Sequence, residues 1–164
     1  MKRTILAVTV FAVASCSGER EKPVQVTAQT IASQPAERPY VIDLTRSGAS
    51  YDVAAGLEYT RLQVRTSTGD MGLNELVSRR RHSAGKRLLL GSSLDDLIDA
   101  LPPDSGGGVA EATCDRGVNS CYCNGRKDCS DLSKSGKCKS GPSDAICGEG
   151  AGGGTGWGCS CRMK

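Results

Sequence analysis

Leu94, Leu97, Ile98 and Leu101 recur at i, i+3, i+4 and i+7, and this apolar stripe is the best-defined element in the chain. Ser93 stands at the N-cap position with Asp96 three residues on. Asp95 and Asp96 suit the positive end of a helix dipole, and Pro102-Pro103 stop the chain. A short helix is therefore predicted there. Elsewhere the pattern is fainter. Tyr40 to Leu44 and Leu57 to Thr66 have strand-like content, but in the second Leu57 and Tyr59 fall on one phase and Leu62 and Val64 on the other. Ser47-Gly48 marks a turn between them, and Leu73, Leu76 and Val77 suggest a short helix after Gly69-Asp70. Residues 40–103 thus read as a small α+β region, near the lower size limit at which one core stabilises a chain.

Before this region, residues 16–39 carry little bulky apolar surface to offset ordering, and they read as a flexible polar tether. After it, Ser105-Gly106-Gly107-Gly108 supplies no side-chain packing, so residues 104–113 read as a Gly-rich linker and a domain boundary. Residues 114–164 form a cysteine-rich module. Its sizeable apolar groups are Val118, Tyr122, Leu132, Ile146, Trp157 and Met163, too few for a core built on burial alone.

The amino terminus sets the compartment in which those cysteines are read. Lys2 and Arg3 precede an uncharged run from Thr4 to Ala14, which has the basic start and short apolar middle of a secretory signal. It is too short to span a bilayer, which takes about 20 apolar residues. Ala12-Val13-Ala14 would serve as a cleavage site freeing Ser15. Val13-Ala14-Ser15-Cys16 instead resembles the lipobox of bacterial lipoproteins, a resemblance confined to residues 1–16. It implies removal of residues 1–15, a diacylglyceryl thioether and an acylated amine on Cys16, and hence a membrane-lipid partner; several chains anchor stably where one is marginal. Ser17 lacks the aspartate associated with inner-membrane retention, which implies an outer-membrane address in a Gram-negative host. The alternative address is a secreted or periplasmic soluble protein.

Cysteine parity favours the lipid. Of nine cysteines, lipidation of Cys16 leaves an even set of eight: Cys114, Cys121, Cys123, Cys129, Cys138, Cys147, Cys159 and Cys161. Behind an export signal these read as four disulfides, each reducing unfolded-chain entropy by about 2–4 kcal/mol. Bridges inside Cys121-Tyr122-Cys123 or Cys159-Ser160-Cys161 are expected to be strained, on the premise that the two cysteines of each triplet point apart. Each cysteine of a pair is therefore expected to reach a different partner, and the full pairing stays open. Asp128 to Ser135 suggests a short helix capped by Asp128 and ended by Gly136, flanked by the two C-x-C segments in a hairpin-plus-helix knot.

The competing chemistry is metal. The C-x-C pairs resemble metallothionein-like sites, so Cys121, Cys123, Cys159 and Cys161 are the alternative ligands for Cu(I) or Zn(II). No C-x2-C occurs, which removes the commonest structural-zinc spacing. Catalysis finds no constellation: His82 is the sole imidazole, and no spacing nominates a nucleophile and base. No cofactor is expected. Gly148-Glu149-Gly150-Ala151-Gly152-Gly153 matches G-x-G-x-x-G in letters, but no strand is expected before it, and Gly154 and Gly156 forbid a following helix. Arg79, Arg80, Arg81, Lys86 and Arg87 cluster around His82, and Asp95, Asp96 and Asp99 share a helix face; both read first as solvated faces.

Removal of Lys2 and Arg3 with the signal takes 21 basic residues to 19, against 18 acidic, so the net charge falls from +3 to +1. Nothing in that balance supports nucleic-acid binding. Trp157, on the glycine loop, is the residue singled out for recognition, with Tyr122 beside it in rank. The opposing reading packs Trp157 against a bridge as a miniature core. The sequence thus describes a non-enzymatic cell-envelope lipoprotein carrying a four-disulfide binding module for an envelope or extracellular partner, with periplasmic metal sequestration as the alternative.

Overall fold

The computed structural model describes residues 21–103, 105 and 112–164. The signal segment 1–15, Cys16 and the glycines at 106–108 lie outside the described residues. The elements run β1 (Val24–Val26), α1 (Ala28–Ala32), β2 (Tyr40–Asp43), β3 (Ser50–Val53), a 3-10 turn (Tyr59–Arg61), β4 (Leu62–Thr66), β5 (Gly69–Gly72) and α2 (Leu73–Arg79). They continue through β6 (Leu88–Gly91), α3 (Leu94–Ala100), β7 (Thr113–Asp115), β8 (Ser120–Asn124), α4 (Gly125–Lys134), β9 (Ala145–Glu149) and β10 (Trp157–Arg162).

Seven strands form one sheet in the order β1-β3-β6-β9-β10-β8-β7, and β2-β4-β5 form a second. In the large sheet β1 pairs parallel with β3, and the remaining pairs are antiparallel. Leu88-Leu89-Leu90 explains why β6 lies inside the sheet. A strand covered on both faces needs apolar residues in both phases. Leu88 and Leu90 enter a core with Val26, Ile42, Val53, Val64, Leu76 and Ile146. Leu89 enters a second core with Leu94, Leu97, Leu132 and the buried cysteines.

That arrangement corrects two boundaries. The cysteine-rich segment is disulfide-rich, but it does not pack as a stand-alone module: Leu88 pairs with Gly148 and Leu89 with Cys147, so β6 and β9 make one sheet across the linker. Each core draws residues from both sides of it. A structureless tether over the whole of residues 16–39 is not what the described part shows. Val24–Val26 pairs with β3, Val26 is fully buried, and α1 follows with Thr27 and Thr30 closing a reciprocal cap. A three-residue strand that buries one side chain leaves no readable period in the sequence.

The α3 expectation holds in detail: the Ser93 hydroxyl accepts from the Asp96 amide at 3.2 Å, and Leu94, Leu97 and Ile98 are buried. The phase slip at 57–66 resolves because the strand begins only at Leu62. Tyr59 lies in the 3-10 turn, buried, its hydroxyl donating to the Lys86 carbonyl at 3.1 Å. In α4 the helix starts earlier than expected, with Asn124 rather than Asp128 at the N-cap and no side-chain cap bond; Gly136, at φ +67°, follows its end. A strand, β9, does lead into the glycine-rich letters and takes in Gly148 and Glu149, but β10 follows them, so no helix N-terminus stands there for a nucleotide.

Candidate functional site

The sheet organises the sulfur atoms into two rows. Cys121 and Cys123 alternate along β8, and Cys159 and Cys161 along β10, so each pair lies on one face of its strand. Antiparallel register then sets Cys121 opposite both Cys114 and Cys161, and Cys159 opposite both Cys123 and Cys147. The bonds made are Cys114–Cys121, Cys123–Cys129, Cys138–Cys161 and Cys147–Cys159. Two are cross-strand, one ties β8 to α4, and one ties β10 to the segment after α4. The staples thus replace the side-chain volume that this segment lacks.

Each cysteine of a C-x-C does reach a different partner, but the premise given for it is corrected. Residues two apart in a strand point to the same side. What keeps them unbonded is reach: two residues of extended chain separate the Cα atoms by about 6.7 Å, at the upper edge of disulfide geometry. The alternative metal set is redistributed for the same reason. Sγ atoms gather as Cys121, Cys138 and Cys161, and as Cys123, Cys129 and Cys159, each group within 4.8 Å. Cys121 and Cys123 therefore belong to different groups, as do Cys159 and Cys161.

Trp157 opens β10 rather than riding the loop, and it is half-buried against the second core. The Arg87 guanidinium lies over its ring, 5.6 Å from the centroid. Arg87 Nε in turn donates to Asp52 at 2.8 Å, and Gln25 donates to the same carboxylate at 3.0 Å. Burial alone would raise the Asp52 pKa, but the hydrogen bonds from Arg87 and Gln25 and the Arg87 charge outweigh it and hold the carboxyl below its ordinary value. The result is a polar strip, Gln25, Asp52, Arg87 and Trp157, running across β1, β3, the entry to β6, and β10. It can offer a rigid aromatic edge beside a cation. Tyr122 stands apart from it: it lies one residue out of phase with Cys121 and Cys123, on the other face of β8. The glycine loop is packed where it meets the sheet, with Ala151 and Gly152 buried and Gly153 to Gly156 exposed.

Most members of the charged clusters are exposed, as expected, and several also make contacts. Arg79 pairs with Glu75, Arg80 donates to the Ser143 carbonyl at 2.8 Å, and Arg87 goes to Asp52. On α3, Asp96 accepts from the Ser92 and Ser93 hydroxyls, Asp95 accepts from Ser133, and Arg126 donates to the Asp99 and Leu101 carbonyls. Those bonds close the α3 C-terminus and tie it to α4. His82 is buried with neither ring nitrogen bonded, beside the glycine at 148. Burial, and then the Lys86 charge, push its pKa down. Sequence reasoning missed Gln25 and Asp52, which lie in short strands without a legible period.

Among the described residues no helix is long and apolar enough to cross a membrane. No family model, curated protein or solved structure matches the chain.

Proposed function

We propose that this chain is an exported envelope lipoprotein, held to lipid by acylated Cys16, whose disulfide-locked sheet binds an envelope or extracellular partner without catalysing a reaction. One observation carries the reading: the eight cysteines after residue 113 pair off without remainder, leaving Cys16 as the single cysteine free to take lipid. Four disulfides fit an oxidising compartment outside the cytoplasm. The strip of Trp157 and Arg87, braced by Asp52, is the surface nominated for the partner, because a half-buried aromatic held by fixed neighbours loses little entropy on binding.

Membrane fractionation of the bacterial host tests the anchor. Wild-type protein is expected in the membrane fraction, accumulating as precursor under globomycin, and Cys16→Ser is expected to leave that fraction. Globomycin-insensitive processing, or a mature chain beginning at Ser15, overturns it.

A second reading, soft-metal sequestration, draws on the two three-sulfur groups, each of which would offer thiolates to Cu(I) or Zn(II) if reduced. Two equivalents of metal on protein purified under native redox conditions would favour it.

A further inference from the structure

One sulfur row is open to exchange and the other is sealed. Cys121 stands between two directly opposed cysteines, Cys114 on β7 and Cys161 on β10. It is bonded to Cys114, while Cys161 is bonded to Cys138. The Sγ atoms of Cys121, Cys138 and Cys161 nevertheless all lie within 4.8 Å of one another. Cys121 and Cys161 are thus an unbonded pair in direct cross-strand register. Joining them requires sulfur atoms to swing between partners already in register, with no strand displaced.

Access gives the exchange a direction. Cys114 sits in an edge strand and is the one described cysteine that is not buried, so an incoming thiolate meets it first. Cys138 is flanked by Lys137 and Lys139. In the other row, Cys123, Cys129, Cys147 and Cys159 are all buried.

We propose that the chain relays thiol–disulfide exchange through Cys114, Cys121, Cys161 and Cys138, with an external dithiol as reductant. One thiolate of the dithiol attacks Cys114 Sγ, forming a mixed disulfide and releasing Cys121 as thiolate. Cys121 attacks Cys161 Sγ; the Cys121–Cys161 bond forms, the Cys138–Cys161 bond breaks, and Cys138 leaves as thiolate and takes a proton. The second thiol of the dithiol closes on its own sulfur and expels Cys114, which is also protonated. The dithiol loses two electrons, and the protein gains two thiols, at Cys114 and Cys138. The relay frees the β7 edge from its staple and delivers a thiol to the lysine-flanked segment. It rests on the oxidised state that the proposed function assumes.

The test uses native full-length protein treated with one molar equivalent of dithiothreitol, acid-quenched, alkylated in denaturant and peptide-mapped. The expected product carries alkyl groups on Cys114 and Cys138 and a Cys121–Cys161 bridge, with the second row intact. Alkylation of Cys114 and Cys121 with Cys138–Cys161 preserved overturns the relay alone, and label spread evenly over all eight cysteines does the same. Free thiols before any reductant is added overturn the relay and the oxidised state together.

Discussion

Leu89 on β6 stands directly opposite Cys147 on β9, and this pair joins the leucine-rich half of the chain to the cysteine-rich half. Leu89 is 2% exposed and packs among the cysteines, while Ile146, the neighbour of Cys147, packs on the opposite face among the residues of the first half. The disulfides therefore brace a sheet whose core is shared.

Truncating Leu89 should be felt in both halves. Leu89→Ala is expected to lower stability by about 2–5 kcal/mol. Hydrogen exchange should show amides of both β3 and β10 losing protection together. Loss confined to β10 would mean that the halves fold separately.

Close packing under the glycine loop predicts a sharp difference between two glycines. A Cβ on Gly158 would fall 2.5 Å from the Cys123 carbonyl oxygen and 2.8 Å from Gly152 Cα, whereas one on Gly156 would meet nothing within 4 Å. Gly158→Ala should cost about 1–3 kcal/mol or more by overpacking, and Gly156→Ala should be near neutral in denaturant titrations.

His82 predicts the pH dependence. Burial first, and Lys86 second, depress its folded pKa below the unfolded value of about 6.5. The unfolded chain therefore takes up the proton first as pH falls. The stability contribution is complete above about pH 6.5 and is lost as pH falls from there toward the folded pKa. Tm measured from pH 7.5 to 5 should drop for the wild type and stay flatter for His82→Leu; parallel slopes would remove His82 as the cause.

Asp52→Asn should release Arg87. Arg87 is about half exposed, so solvent screening keeps the loss small, at about 1–2 kcal/mol. Trp157 is the only tryptophan, so its fluorescence reports directly on whether the guanidinium has left its ring. An unchanged spectrum would contradict the Asp52–Arg87–Trp157 linkage.

The elements that were legible in the sequence are those whose causes are local. For α3, the cap, the stripe and the proline stop all lie within eleven residues, and the structure reproduces each. The leucine run of β6 carried no period because both its faces are buried, and β1 and β3 were hidden by their brevity and by polar members such as Gln25 and Asp52. The two cross-strand disulfides needed the registers of β7 against β8 and of β9 against β10, which no spacing encodes. Trp157 is legible as a residue, but its setting is not, since Arg87, braced by Asp52, reaches it from a segment far away in the chain.

Intact mass and disulfide mapping of native, detergent-extracted protein, with metal content read on the same sample, separate a lipid-anchored, fully oxidised chain from a thiolate metal binder. The expected result is a lipid-sized mass gain on Cys16, no alkylatable thiol, and bridges Cys114–Cys121, Cys123–Cys129, Cys138–Cys161 and Cys147–Cys159. Several alkylatable thiols with stoichiometric copper or zinc, on a chain without lipid, would contradict it.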